Sequence, residues 1–304
     1  MNGVINVYKE AGFTSHDVVA KLRGIVKQKK IGHTGTLDPQ AEGVLPVCLG
    51  NATKLCGLLT EKEKTYRAVL LLGETTDTQD TTGQVLTEAP VTVDEETVRQ
   101  AVLSFLGDYA QIPPMYSALK VNGKKLYELA REGKEIERQA RRVRILEIEI
   151  HEIRLPEVTF SVTCSSGTYI RTLCQDIGEK LGCGGCMKSL LRTKVDRFEL
   201  KDAYKLSELE ELMKAGRIEE ALLPVDDVFA RCPAVRIRPE SDRLIRNGNP
   251  FEKKDMAELT GENPMEGTEL ERSCVRVYGS DGVFLGLYRR ERNGRRYKPE
   301  KMFL

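Results

Sequence analysis

Residues 32–45 constrain this chain more than any other stretch, because they confine one acidic side chain to a sequence that must turn tightly. The segment reads Gly-His-Thr-Gly-Thr-Leu-Asp-Pro-Gln-Ala-Glu-Gly-Val-Leu, and the apolar run continues to residue 49. Glycine and proline favour tight turns, whereas an apolar run of this length is typical of a buried strand. The pattern therefore predicts a rigid loop that presents Asp38 above a buried strand as a reactive carboxylate. In the alternative interpretation, the Asp-Pro pair only shapes the turn.

Three further blocks of distinctive residues follow this loop. The first is Lys64-Thr65-Tyr66-Arg67 with Leu72-Gly73 and Thr75-Thr76-Asp77-Thr78. The second spans 113–120 (Pro-Pro-Met-Tyr-Ser-Ala-Leu-Lys) and continues with Gly123, Tyr127, Ala130, Arg131 and Gly133. The third spans 164–172 (Cys-Ser-Ser-Gly-Thr-Tyr-Ile-Arg-Thr). The four blocks resemble, in order, the motifs of the bacterial tRNA pseudouridine-55 synthases. The resemblance implies an enzyme that isomerises a uridine in the T arm of tRNA, with the second block as an RNA-gripping insertion.

The reaction implied by this resemblance breaks the N1–C1′ bond of uridine, turns the base and rejoins it through C5. It involves no redox change and no group donor, so no cofactor is expected. Bond cleavage develops positive charge at C1′, which a carboxylate is suited to stabilise or trap. The resemblance assigns this role to Asp38. Attack at C1′, removal of a sugar proton and addition to the pyrimidine ring all remain open as its route.

The resemblance also implies a partner for Asp38 and a second catalytic group. Arg171 would pair with the carboxylate, favouring its charged form and fixing its orientation. Tyr66 would pack on the uracil and assist proton transfer at C5. Taken alone, Arg171 is interpreted as a surface charge that begins a helix, and a tyrosine in a strand as a core residue.

The target base lies inside folded tRNA and must be extruded before it can react. The resemblance places Tyr169 and Leu190 in the pocket lining and has His33 fill the gap left in the RNA stack. Tyr169 and Arg171 stand two residues apart at a predicted strand-to-helix transition, so both would face one pocket if strand geometry persists. A loop hydrogen bond is the alternative role of His33.

Three positions depart from the family pattern. Lys9-Glu10 stands where Lys-Pro is usual, which puts the rigidity of that loop in question. Leu191 stands where an arginine is common, and Asp196 where a glycine is common. These changes would weaken a phosphate contact or alter a turn without touching Asp38.

The chain of 304 residues is long enough for two domains. Residues 1–228 are predicted to form the catalytic domain, with an insertion at about 109–142. Residues 229–304 are predicted to form a β-rich module that resembles a PUA domain, after a linker at 223–233. Strands and helices mix without regular alternation, which predicts an α+β fold with a mixed, largely antiparallel sheet flanked by helices.

Local patterns predict individual elements. A capping box at 14–17 opens a helix, residues 92–95 open a second that stops at Gly107, and residues 207–210 open a third. Strands are predicted at 66–72, 144–153 (with a bulge at Ile145-Leu146), 158–164, 235–238, 275–278 and 283–288. A short helix is expected near 125–131.

Charge is distributed unevenly along a chain whose formal net charge is only +1. Basic residues cluster at 27–30, 138–144 and 289–298, and acidic residues at 208–220. This predicts a polarised surface that binds tRNA phosphates.

Several function classes are excluded by what the sequence lacks. No apolar run is long enough to cross a membrane, and the N-terminus does not resemble a signal peptide. The eight cysteines and three histidines show no metal-site spacing. We therefore expect a cytoplasmic monomer with no metal and no required protein partner. The remaining alternatives are a non-catalytic tRNA-folding protein and a guided synthase acting on other RNA; a methyltransferase is disfavoured because no Gly-rich cofactor loop follows a strand.

Overall fold

The computed structural model describes residues 1–121, 123–263, 265, 269–291 and 294–304. The strands of this part, in chain order, are β1 (Gly3–Lys9), β2 (Ile31–His33), β3 (Glu42–Leu49), β4 (Lys64–Leu72), β5 (Glu74–Thr76), β6 (Val85–Glu88), β7 (Gly107–Gln111), β8 (Lys120–Val121), β9 (Lys124–Lys125), β10 (Arg141–Arg154), β11 (Glu157–Cys164), β12 (Gly185–Val195), β13 (Phe198–Glu199), β14 (Leu222–Leu223), β15 (Ala234–Ile237), β16 (Phe251–Glu252), β17 (Met256–Thr260), β18 (Cys274–Tyr278), β19 (Phe284–Arg290) and β20 (Arg296–Met302).

The helices of the same part are α1 (Ser15–Val26), α2 (Cys56–Thr60), α3 (Glu95–Leu103), α4 (Leu126–Arg131), α5 (Ile170–Leu181), α6 (Leu206–Lys214), α7 (Pro239–Arg246) and α8 (Glu269–Ser273). Within the described residues, no helix is long and apolar enough to cross a membrane.

Ten strands form the larger sheet, in the order β14-β1-β3-β12-β4-β11-β10-β7, with β2 beside β3 and β13 beside β12. All neighbours are antiparallel except β3 and β12. Apolar side chains of α1 and α6 pack on β1 and β3, while those of α3 and α5 pack on β4 and β11. The predicted α+β fold with a largely antiparallel sheet is confirmed.

The predicted insertion leaves the sheet between two paired strands. β7 and β10 are antiparallel neighbours, with Gln111 opposite Arg141. The chain between them carries β8, β9 and α4. The bulge predicted at Ile145-Leu146 is present as a register shift between Ile145 and Glu147.

The predicted first residues of two helices are wrong, and the capping contacts explain why. The second helix begins after Asp94, whose carboxylate accepts a hydrogen bond from Thr97 N at 2.8 Å, and not at residue 92. It ends at Leu103, well before Gly107, and leaves Leu106 56% exposed. The third begins after Lys205, because Glu208 accepts a hydrogen bond from Lys205 N at 2.7 Å. The capping box at 14–17 is confirmed.

Six strands form a second sheet in the C-terminal part, in the order β16-β20-β19-β18-β15-β17. The strands predicted there are confirmed, with bounds shifted by up to two residues. Arg292 and Asn293, inside the third basic segment, lie outside the described residues.

The segment predicted as a linker is packed rather than extended. Phe229 and Cys232 are buried with Val4, Leu287 and other apolar residues of both sheets. Lys54 Nζ also donates to the carbonyls of Met302 and Leu304, at 3.0 Å each. Removing the C-terminal sheet would therefore expose core surface of the larger one, so its role is better tested by side-chain substitutions than by deletion.

Candidate active site

The Asp38 loop connects β2 to β3 and is anchored at both sides of the aspartate. Leu37 and Ala41 are buried, so the apolar neighbours of Asp38 point into the core. Ser15 Oγ, at the first turn of α1, accepts a hydrogen bond from Leu37 N at 2.9 Å. Ala41 N donates to Asp38 O at 3.1 Å and closes a turn. These contacts hold the backbone while the side chain of Asp38 remains 39% exposed.

The side chain of Lys9 also holds the backbone of this loop. Its ammonium donates to Pro39 O at 2.9 Å, Ala41 O at 2.5 Å and Glu10 O at 3.2 Å. The side chain is fully buried. The lysine thus ties the part of the loop that follows Asp38 to residue 10, where a glutamate stands in place of the usual proline.

Burial lowers the pKa of Lys9 from 10.5 to about 8, although Asp38 and Glu42 oppose this. Between these pH values the unfolded lysine binds a proton that the folded one has lost, so the free energy of unfolding rises with pH across this window. Lys9→Met should remove this rise, which corresponds to about 3 kcal/mol at ~1.4 kcal/mol per pH unit.

Urea unfolding from pH 8 to pH 10.5 measures the effect, as the difference between the wild type and Lys9→Met. The exposed Lys29 provides a control through Lys29→Met. Equal pH slopes for the wild type and Lys9→Met would contradict the assignment.

Arg171 is 5% exposed and all of its guanidinium nitrogens donate hydrogen bonds. Nε and one terminal nitrogen bind Asp38 Oδ2 and Oδ1 at 2.9 and 3.2 Å. The terminal nitrogens also reach Thr78 O and Tyr116 O, both at 2.8 Å. This two-point contact fixes the plane of the carboxylate. The structure therefore joins Asp38 to Arg171, as the resemblance implies.

The strand geometry expected between Tyr169 and Arg171 is wrong, because α5 already begins at Ile170. Arg171 lies in the first turn of this helix, where the helix dipole disfavours a cation. Its hydrogen bonds to one carboxylate and two backbone carbonyls compensate for this unfavourable interaction with the helix dipole. Tyr169 directly precedes the helix; burial raises the pKa of its phenol, Arg171 acts to lower it and Asp38 acts to raise it.

Two functional contacts were missed in the sequence. Asp80 Oδ2 lies 3.9 Å from Arg171 Nε and is 15% exposed, which adds a second carboxylate to the pair. Gln111 is buried, and its side-chain amide binds both Tyr169 N (2.8 Å) and Tyr169 O (2.9 Å). Asp80 lies two residues after Thr78, which ends the block that begins at Lys64, and this proximity was the available signal. Nothing local marks Gln111.

Tyr66 and Leu190 belong to one apolar cluster that also contains Leu37 and Ala41, the neighbours of Asp38. Both are largely buried. Burial raises the pKa of Tyr66 to about 12, and the charge of Arg192 opposes the rise. The phenol is therefore protonated at neutral pH.

His33 lies at the start of the Asp38 loop, where Gly35 N donates to its Nδ1 at 3.4 Å. Its ring also packs edge-on against His16, with 5.3 Å between the ring centroids. Burial lowers the pKa of His33 below 6.5, so the ring is neutral at neutral pH. The loop hydrogen bond named as its alternative role is present.

Two of the departures from the family pattern, Leu191 on β12 and Asp196 just after it, lie in different structural surroundings. Asp196 adopts φ +52°, a left-handed conformation that favours glycine. Its carboxylate compensates by lying 3.7 Å from Lys62 Nζ. Leu191 pairs with Arg67 and Glu42 in the sheet.

The basic segments differ in how far their charges are neutralised. Arg142 and Arg144 are exposed on β10, and within the described residues no carboxylate lies within 4 Å of either. In the third segment, Arg289 pairs with Glu269 and Glu300, and Arg296 pairs with Glu252. Unpaired positive charge thus lies beside the insertion, on β10.

The site thus combines an exposed carboxylate, held by a buried guanidinium, with an apolar cluster that contains Tyr66 and Leu190. Such a carboxylate is suited to attack or polarise a flipped nucleotide. The described residues contain no group of three His, Cys, Asp or Glu side chains that could hold a metal ion.

Comparison with known proteins identifies the particular family. Residues 23–170 match the N-terminal domain of the TruB family of pseudouridylate synthases, and residues 171–230 match the tRNA pseudouridylate synthase B C-terminal domain. The chain belongs to the TruB family. It is 54% identical over 312 residues to the tRNA pseudouridine synthase B of Lachnoclostridium phytofermentans, covering all of both chains.

Two further matches extend this result. The tRNA pseudouridine synthase B of Alkaliphilus oremlandii is 51% identical over 249 residues, 82% of each chain. Among solved structures, a chain of a Cbf5–Nop10–Gar1 complex superposes with a TM-score of 0.73 at 27% identity, covering 99% of this chain and 85% of that one.

Proposed function

We propose that this protein converts uridine 55 in the T arm of tRNA to pseudouridine. The observation that carries the proposal is the two-point contact of Arg171 with the exposed Asp38 carboxylate, on a loop whose backbone is fixed from both sides. Family membership and two relatives named tRNA pseudouridine synthase B support the same reaction and substrate.

In this proposal, each side chain of the site has its own role in the reaction. The target uridine leaves the RNA stack and enters above Tyr66 and Leu190, where stacking contributes about 1–3 kcal/mol. Asp38 then acts on the nucleotide while Arg171 keeps its oxygens in one plane. Tyr169 lines the pocket, and His33 fills the space the base has left. The reaction needs no cofactor, because no electrons and no group are transferred to or from the nucleotide.

The proposal also covers the domain organisation, the cellular location and the oligomeric state of the protein. Residues 1–228 act as the catalytic domain and residues 229–304 as an RNA-binding module resembling a PUA domain. The protein works in the cytoplasm as a monomer and needs no protein partner. Sedimentation of the protein with and without tRNA tests whether it is a monomer.

Tritium release tests the reaction itself. An unmodified tRNA transcript labelled at uridine C5 loses its label to water when C5 forms the new glycosidic bond. We expect release at a single nucleotide, uridine 55. Tight binding without release from tRNA and ribosomal RNA transcripts would instead favour the tRNA-folding alternative.

Replacing Arg142 and Arg144 with glutamine should weaken tRNA binding more than turnover at saturating RNA. The two side chains are exposed and unpaired beside the insertion, so they are available to phosphates. Each lost phosphate contact should reduce the slope of log K against log salt by about 0.9 on duplex RNA, taking the value for B-DNA.

Salt titration of tRNA binding measures this slope. Lys214→Gln with Arg217→Gln removes the same charge from the acidic segment, where both residues pair with glutamates. An equal loss of affinity in this control would mean that net charge, and not the strand β10, decides binding.

A further inference from the structure

Arg192 is a buried charged side chain, and among the described residues no carboxylate forms an ion pair with it. It lies in β12 and is 0% exposed. Its Nε donates to Val44 O at 2.7 Å, but within the described residues both terminal nitrogens lack a hydrogen-bond partner. Burial of an unpaired charge strongly destabilises a fold, and such groups usually have a carboxylate beside them.

The neighbourhood of Arg192 offers no structural reason for the charge. Asp38 is already bound by Arg171. Lys9 and Lys64, two further buried cations, lie near enough for the charge of Arg192 to contribute to lowering their pKa values. Their ammonium groups bind backbone carbonyls, whereas the terminal nitrogens of Arg192 bind none.

Sheet register places Arg192 directly opposite Tyr66 on the antiparallel strand β4. Side chains of directly opposed residues share one face, with Cβ atoms about 5 Å apart. On its other side Arg192 pairs with Gly43, which presents no side chain. A Cβ placed on Gly35, in the Asp38 loop, would lie 3.9 Å from the Arg192 terminal nitrogen Nη1. The guanidinium therefore lies between the phenol of Tyr66 and the underside of the catalytic loop.

We propose that Arg192 is a positioning residue whose unpartnered guanidinium orients the phenol of Tyr66 toward the reacting base and stabilises negative charge on its oxygen. This deepens the proposed function and rests on it for the part played by Tyr66. Arg192 is the single arginine of β12.

The electrostatics agree with this geometry. Burial raises the pKa of Tyr66, and the nearby Cys164 and Asp38 act in the same direction. Arg192 is the cation that opposes them, and the resulting pKa is about 12. Loss of the cation would therefore raise the pKa of Tyr66 further.

Fluorine NMR of protein labelled with 3-fluorotyrosine tests the contact without RNA or turnover. The Tyr66 resonance is the one missing from Tyr66→Phe, and fluorination makes the phenol more acidic, bringing its titration within reach. We expect Arg192→Met to move this titration upward by about one pH unit or more. Lys64→Met, which removes a neighbouring buried cation, should leave it in place. An unmoved or lowered titration in Arg192→Met would overturn the proposal.

Arg192→Gln is a second variant in case Arg192→Met does not fold, because its amide can still donate to Val44 O while the charge is gone. The same upward movement is expected, and its absence would count equally against the proposal. Failure of the wild type to release tritium would overturn the proposed function alone, since the fluorine titration stands without it.

Turnover separates positioning from general support of the fold. Arg192→Met should lower kcat about tenfold or more, less than the ~10²-fold or larger loss expected for a group that contacts the reacting atoms, with tRNA affinity unchanged. In a Tyr66→Phe background with measurable turnover, the same substitution should have no further effect, because the hydroxyl it acts through is absent. An equal loss of kcat in both backgrounds would show that Arg192 acts only on the fold.

Discussion

Asp38→Asn is expected to abolish isomerisation while leaving tRNA affinity within a few-fold of the wild type. Removal of a nucleophile lowers turnover by on the order of 10⁴–10⁶-fold. Asparagine keeps the shape of the side chain but cannot stabilise positive charge at C1′ or take a proton. The loop should remain in place, because its anchors at Ser15 and Lys9 bind backbone atoms and not the Asp38 carboxylate.

Tritium release under single-turnover conditions measures the chemistry, and filter binding measures affinity. Asp94→Asn is a matched control, since Asp94 caps a helix from an exposed position and asparagine caps equally well. Substantial residual release by Asp38→Asn would remove the carboxylate from its assigned role.

Arg171→Met is expected to lower turnover by at least about 10²-fold, the effect of losing one preorganised charged contact, and to destabilise the fold. The substitution leaves Asp38 without a partner and Thr78 O and Tyr116 O without a donor. Breaking a buried ion pair costs about 3–5 kcal/mol, and the partial exposure of Asp38 places the expected value at or below the lower end.

Arg171→Lys distinguishes charge from geometry at this position. A lysine keeps the positive charge, but its compact ammonium cannot reproduce the planar contact with both carboxylate oxygens. We expect thermal stability to recover more than turnover. Full recovery of turnover would show that only the charge matters; thermal unfolding and tritium release on the same samples decide this.

Local patterns predicted those elements whose signals are complete within a few residues. The helix at 15–26 has its capping box and its apolar face in the sequence, and both are found in the structure. Helix starts were misplaced by two residues where several polar residues near the start could serve as the cap, as at 92–95 and 205–208. The packed segment at 223–233 was misread because its apolar partners come from distant parts of the chain, from Val4 on one side to Leu287 and Phe303 on the other.

The residues of the site likewise fall into those that the sequence predicted and those that it did not. The resemblance predicted that Asp38 and Arg171 would meet, and they do, across 133 residues of chain. Gln111 and Arg192 carried no sequence signal, because their contacts are with residues distant in the chain: Gln111 binds Tyr169 ahead of α5, and Arg192 lies opposite Tyr66 in the sheet. The roles assigned to Tyr66, Tyr169, Leu190 and His33 stay predictions.

The strand order bears on how the protein is made. β3, which follows the aspartate loop, lies between β1 and β12, so only β1 and the short β2 can pair with it until residues 185–195 have left the ribosome. Arg171 must likewise be synthesised before Asp38 has its partner. At about 5–20 residues per second, the nascent chain spends on the order of ten seconds with one side of β3 unpaired. Catalytic competence thus arises late in synthesis, and a prematurely terminated chain carries the aspartate without the means to use it.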